Sequence, residues 1–213
     1  MIKLLAIIIL FSFLSSYGQE LKKKRKGNET FYVLKSDESV RQGEYLKSGT
    51  AGIIEKGQYD INKKVGIWEF YGLEGTLEQK YDYSNKKLAL NDNFTSVSTR
   101  YAIVTNGNIT EISPDEKPIL IGGPSSYFRH VMENMHYPPK ARTKGTQGKV
   151  FITAVVNSDG QLTDIKVLQG LGEGCDEEAL RVINSFKSEW IPGMHNGEKV
   201  DVLVVLSIIY RLG

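Results

Sequence analysis

The chain has 213 residues, with 27 Lys and Arg against 25 Asp and Glu, 24% charged residues and one cysteine. This composition is typical of a globular protein and excludes a fully disordered chain, a collagen and a disulfide-stapled miniprotein. The single cysteine, Cys175, also excludes an intramolecular disulfide. We interpret it as a small buried residue, with a reactive thiol at the start of a helix as the alternative.

The N-terminal end has the pattern of a secretory signal peptide. Lys3 precedes an apolar run over residues 4–14, and small residues dominate positions 15–18. As a helix, residues 4–17 would span roughly 21 Å, whereas a bilayer core needs about 30 Å. We therefore predict a cleaved signal peptide over residues 1–18 and an exported, periplasmic protein. A retained membrane anchor is the alternative.

Five consecutive basic residues occupy positions 22–26. Such a run predicts a solvated, disordered arm, here over residues 19–30, because like charges repel one another. Attraction to an anionic membrane or cell-wall polymer is the less favoured alternative. We expect no nucleic-acid partner, because the protein is exported.

Residues 31–112 have the pattern of short antiparallel strands. Gly-x-Tyr occurs at 43–45 and 57–59, and Gly-x-Trp follows at 66–68. Glycine permits the positive φ of tight turns, while alternate aromatic residues line one face of a strand. The pattern predicts an antiparallel β-meander. Its Gly-x-Tyr, Gly-x-Trp-x-Phe-Tyr and Gly-x-Leu elements resemble MORN-type repeats of bacterial surface proteins and an antitoxin-like group.

The rest of the chain predicts a second domain, over residues 123–213, after a proline-punctuated linker over residues 113–122. Apolar side chains recur with helical spacing in two places, and an Asn-Ser-Asp-Gly turn at 157–160 separates two β-rich segments. An apolar strand closes the chain at 200–210. The order helix, strand, strand, helix, strand indicates an α+β fold. The helical positions are Phe128, Val131, Met132 and Met135, then Ala179, Val182, Ile183 and Phe186.

Ordered landmarks between residues 137 and 212 resemble the C-terminal domain of the TonB family. They are Tyr137, Pro138, Ala141, Gln147, Gly148, Val150, Asp159, Gly160, Ala179, Leu180, Trp190, Pro192, Gly193, Asn196 and Gly197.

The resemblance implies a three-stranded antiparallel sheet backed by two helices, located in the periplasm. Full members of the family transmit energy from the inner-membrane proteins ExbB and ExbD to TonB-dependent outer-membrane receptors. They bind the receptor's TonB box, a short extended peptide that adds to a sheet edge.

By this resemblance, the last strand and the Tyr-Pro segment are the candidate peptide-binding elements. An apolar strand at an open edge needs a partner. The alternatives are a central core strand or a homodimer seam for the strand, and a stable turn for Tyr-Pro. One enterobacterial form of the family has Gln where this chain has His136. The candidate residues are His136, Tyr137, Pro138, Leu203, Val205, Ser207 and Ile209.

We expect no catalytic, metal-binding or cofactor-binding residues, because no nucleophile elbow, HExxH, CxxC or phosphate-loop pattern occurs. The favoured function is non-enzymatic binding of peptides from outer-membrane receptors or other envelope proteins. An energy transducer for siderophore, cobalamin or glycan uptake is the runner-up, because only 6 prolines occur and no proline-rich spacer is present. A structural envelope-attachment protein is the alternative of another class.

Overall fold

A computed structural model describes residues 20–91 and 97–213, so the predicted signal peptide lies outside the described residues. The first strands are β1 Leu21–Lys26, β2 Glu29–Leu34, β3 Arg41–Gly49, β4 Gly52–Asp60, β5 Lys63–Tyr71, β6 Leu77–Asp82 and β7 Lys87–Asn91. Then follow β8 Tyr101–Thr105, β9 Asn108–Ile109, β10 Ile119–Leu120, α1 Gly123–Asn134, α2 Pro139–Lys144, β11 Gly148–Val156 and β12 Leu162–Gln169. The chain closes with α3 Cys175–Ser185, β13 Trp190–Ile191, β14 Gly193–His195 and β15 Glu198–Tyr210.

Strands β1 to β7 form one antiparallel sheet in chain order, which confirms the predicted N-terminal meander. Trp68 lies fully buried in the aromatic cluster on one face. Gly57 on the neighbouring strand leaves room for its ring, because a Cβ there would lie 2.3 Å from the indole. The buried members of this cluster are Phe31, Val33, Tyr45, Trp68, Phe70 and Tyr81.

The prediction of a disordered arm over 19–30 is wrong for residues 21–26, which form β1. This strand pairs with β2 through a tight turn at Gly27 and Asn28. Glu38 offsets part of the charge repulsion, because it forms ion pairs with Lys22 and Lys24. An edge strand also tolerates lysines, since their side chains stay in solvent.

The second sheet has the strand order β12, β11, β15, β8, β9. Strands β11, β12 and β15 are the three antiparallel strands predicted for the C-terminal half. Strands β8 and β9 extend that sheet, although the sequence placed them in the meander. The predicted boundary at residue 112 is therefore wrong: the chain changes sheets between Asn91 and Tyr101.

Helices α1 and α3 cover one face of this sheet. The inward face predicted for α3 is confirmed, because Ala179, Val182 and Ile183 are fully buried. The face predicted for α1 is wrong in part, since Phe128 is 41% and Met132 63% exposed. Tyr127 is the buried anchor of α1 instead, and its hydroxyl donates to the Ser207 carbonyl of β15.

Two adjacent residues of β6 join the halves. The buried amide of Gln79 donates to the Leu120 carbonyl at 3.0 Å and accepts from the Gly122 N–H at 2.7 Å. Glu78 accepts from the Ser125 N–H at 3.4 Å, which supplies a carboxylate to the first turn of α1. The predicted linker over 113–122 is thus held in place, and β10 within it pairs with β13.

Replacing Gln79 by Ala should destabilise the junction of the two halves. The substitution leaves a buried N–H and a buried C=O without their partner, which predicts a loss of about 2–4 kcal/mol in the free energy of unfolding. Urea denaturation would measure this loss. Gln161→Ala is the matched control, because Gln161 is exposed, and it should change stability by less than about 0.5 kcal/mol. Equal stability of the two variants would contradict the junction role.

Candidate peptide-binding edge

Strand β15 has one face inside the main core and one face outside it. Leu206 and Ile208 on the inner face are fully buried beneath the helices. On the outer face, Leu203 and Val205 form a small cluster with Ala102 of β8, while Ile209 is 56% exposed. The inner face also carries Val202, Val204 and Tyr210.

The first half of β15 does not lie at an open edge. Strand β8 pairs with residues 201–204, with Leu203 opposite Ala102. The predicted open edge is therefore wrong at Leu203, since the chain's own strand occupies it. The sequence could not show this, because β8 lies about a hundred residues upstream.

The second half of β15 presents backbone groups on the same side. Val205 accepts from the Thr99 N–H at 3.1 Å and donates to the Ser98 hydroxyl at 2.9 Å, so two residues just upstream of β8 bond to it on this side. Because backbone direction alternates, the N–H groups of Ser207 and Ile209 point to this side too. Within 20–91 and 97–213, no strand pairs with β15 there.

The helix above this half is fixed by a tyrosine. The hydroxyl of Tyr127 donates to the Ser207 carbonyl at 2.9 Å. One outward carbonyl is thereby satisfied by α1 rather than by a strand. The contact also places α1 over the second half of β15.

The segment 136–138 lies at the end of the same strand. The ring of Tyr137 packs edge-on against Tyr210, with 5.6 Å between the ring centroids, and its hydroxyl donates to the Thr146 carbonyl. Pro138 lies beside Gly174 before α3, where a Cβ would come within 3.2 Å of the proline ring. The His136 side chain is 83% exposed. The structure thus brings the Tyr-Pro segment to the C-terminal end of β15.

A carboxylate and a guanidinium position this segment, and sequence reasoning did not select them. Glu178 accepts from the His136 N–H at 2.7 Å and from Arg181 at 2.6 Å. Arg181 also donates to the Asn134 carbonyl at 2.6 Å. The hydrogen bond from Arg181 lowers the pKa of the Glu178 carboxyl most strongly, and the bond from the His136 N–H lowers it further. Burial acts in the opposite direction, but the net pKa is lower than usual. An i, i+3 Glu–Arg pair on α3 was the available signal.

The remaining candidate chemistry lies elsewhere. Cys175 is buried, and burial raises the pKa of its thiol. Among the residues that the structure describes, no group of three or more His, Cys, Asp or Glu side chains could hold a metal ion. Neither observation adds a binding residue to the edge of β15.

Comparison with protein families found a match within the C-terminal half. The family model described as Gram-negative bacterial TonB protein C-terminal matches residues 133–212. This match confirms the predicted resemblance, and it begins inside α1, so β8 lies outside it. No curated protein matches the chain. In the described ranges, no helix is long and apolar enough to cross a membrane.

Replacing Glu178 by Gln should make the stability of this region less dependent on pH. The folded-state pKa of Glu178 lies below the ordinary 4.5, so its stabilising effect is present above about pH 4.5 and is lost on acidification. We expect the variant to be roughly 1 kcal/mol less stable at pH 7, and the difference should vanish as the pH falls towards the folded-state value. Chemical denaturation at several pH values measures this. Glu177→Gln, at an exposed neighbour, should show a smaller difference.

Proposed function

We propose that this chain is an envelope protein that binds extended peptides by strand addition to β15, because residues 133–212 match the TonB C-terminal family, whose domain lies in the Gram-negative periplasm. The observation that carries the proposal is the side of β15 beyond Val205, where the described chain supplies no further strand. The proposed role is binding, without catalysis. The proposed partners are TonB-dependent outer-membrane receptors, through their TonB box.

Main-chain hydrogen bonds would supply most of the attraction. Ser207 and Ile209 present N–H groups to the partner, and Ile209 also presents its carbonyl. Neighbouring residues Leu206 and Ile208 use their backbone groups towards β11, so the existing sheet would remain intact. A peptide can therefore add without refolding this half of the strand.

Side chains beside the strand would supply selectivity. Ile209 offers an exposed apolar contact on the outer face. His136, Tyr137 and Pro138 lie at the C-terminal end, where the ion pair of Glu178 and Arg181 holds their backbone. Alternate side chains of an added peptide would contact these two groups separately.

The sheet before the domain favours binding over self-contained energy transduction. A transducer needs a spacer that extends across the periplasm, whereas strands β1 to β7 form a compact meander from residue 21 onward. In this proposal the meander is a scaffold or a second binding surface. An ExbB/ExbD-linked transducer, a structural attachment protein and a homodimer joined through β15 are alternatives that the experiment below separates.

Replacing Ile209 by Pro should weaken peptide binding while the domain stays folded. The N–H of Ile209 points away from β11, so proline removes a donor to the partner but no bond within the sheet. The measurement is fluorescence anisotropy with labelled synthetic peptides from the N-terminal periplasmic segments of TonB-dependent receptors. We expect a loss of affinity of tenfold or more, which corresponds to about 1.4 kcal/mol.

The matched control is Ile209→Ala, which keeps the N–H and removes only the exposed side chain. It should weaken binding less than the proline variant does. Equal binding by folded wild type and Ile209→Pro would show that β15 is not the binding edge. Sedimentation of the same samples would reveal a homodimer, which the proline variant should disrupt if β15 is its seam.

A further inference from the structure

We propose that β8 is a built-in competitor for the peptide site, and that a partner binds the full edge of β15 by replacing it. This inference rests on the proposed function and adds the regulation of the site and the chemistry of its ligand. The partner is an extended, uncharged peptide. Every second residue is aromatic or β-branched, and the residues between them are no larger than valine. Strand β8 itself, with the sequence Tyr-Ala-Ile-Val-Thr, is the template for that ligand.

Strand β8 and an incoming peptide strand would bond to the same backbone groups of β15. Leu203 and Asp201 face Ala102 and Val104 in the register of β8, on the side of β15 to which Ser207 and Ile209 also point. While β8 is paired with residues 201–204, an incoming strand could bond only to the second half of this edge, at Ser207 and Ile209. With β8 and the preceding Ser98–Thr99 segment displaced, the N–H groups of residues 201, 203, 205, 207 and 209 would form one continuous row.

The burial of β8 defines the side chains that the edge accepts. Ala102 is buried with Leu203 and Val205 on the outer face, where space is limited. Ile103 is buried on the opposite side of the strand, and Tyr101 packs against the main core. A charged residue at either buried position would be desolvated without a partner, so the edge should reject it.

The attachment of β8 is suited to exchange. Four residue pairs join it to β15, whereas nine join β15 to β11. Among the described residues, the outer side of β8 bonds to residues 108–112 of its own hairpin, through β9 and the backbone of Thr110 and Ile112. The hairpin could therefore leave as a unit while β11, β12 and β15 keep their ladder.

A labelled peptide that copies residues 99–106 provides a probe that needs no knowledge of the receptor. Ala102→Asp is the released variant, because a carboxylate in the buried cluster should expel β8. Thr105→Asp is the matched control, since Thr105 is exposed at the end of the same strand. A scrambled peptide controls for composition.

The locked variant carries Ile103→Cys and Val202→Cys in a Cys175→Ala background. Ile103 directs its backbone bonds to residues 110 and 112, so it forms a non-hydrogen-bonded pair with Val202. Cα atoms in such pairs lie about 4.5 Å apart, within the range of a disulfide. Reduction of the disulfide restores a free β8 in the same protein.

We expect the released variant to bind the probe roughly tenfold or more tightly than wild type and Thr105→Asp, because docked β8 reduces the competent fraction. The oxidised locked variant should bind at least tenfold more weakly than its reduced form. Equal probe binding by the released, wild-type and locked proteins would overturn the proposal. So would failure of the folded released variant to bind the probe.

Receptor peptides separate this proposal from the proposed function. If they bind all variants equally, receptor binding holds and the competitor role of β8 is wrong. If they bind none while the probe follows the expected order, strand exchange holds and the proposed partner is wrong.

Discussion

The backbone of β15 sets the main constraint on the C-terminal half. Its N–H and C=O groups lie among apolar side chains, where an unpaired polar group is costly, so each side of the strand needs partners. Strand β11 satisfies one side along residues 202–210. The other side is satisfied piecewise, by β8, then by Ser98 and Thr99, then by the hydroxyl of Tyr127 at Ser207. Within the described residues, the first half of β15 therefore has strands on both sides, and the second half has a strand on one side only.

The junction at Gln79 holds the segment that leads into α1, the helix that reaches Ser207. Its amide fixes the segment from Leu120 to Gly122, and the neighbouring Glu78 accepts from the first turn of α1. With the start of α1 fixed, Tyr127 points into the core and reaches Ser207. The first sheet thus contributes to the candidate site without lining it. This is a physical reason for the two halves to share one chain.

The sequence predicted local elements better than their assembly. The Asn-Ser-Asp-Gly turn and the period of α3 were readable because each depends on a few adjacent residues. The face of α1 was not, since its rotation is set by the carbonyl of Ser207 and by Glu78, which lie far away in the sequence. The basic run was misread because Glu38, the partner of Lys22 and Lys24, lies beyond β2 in the sequence and is close to β1 only in the paired sheet.

By itself, the sequence determined the antiparallel meander, the α+β order of the C-terminal half and the TonB-type landmarks from Tyr137 onward. These follow from side-chain period, turn chemistry and an ordered motif. Only the tertiary structure decided which side of β15 is covered, because strand pairing joins Ala102 to Leu203 across a hundred residues. The apolar pattern of β15 fits an edge strand and a central strand equally well. The position of β8 resolves that choice, making the strand central over residues 201–204.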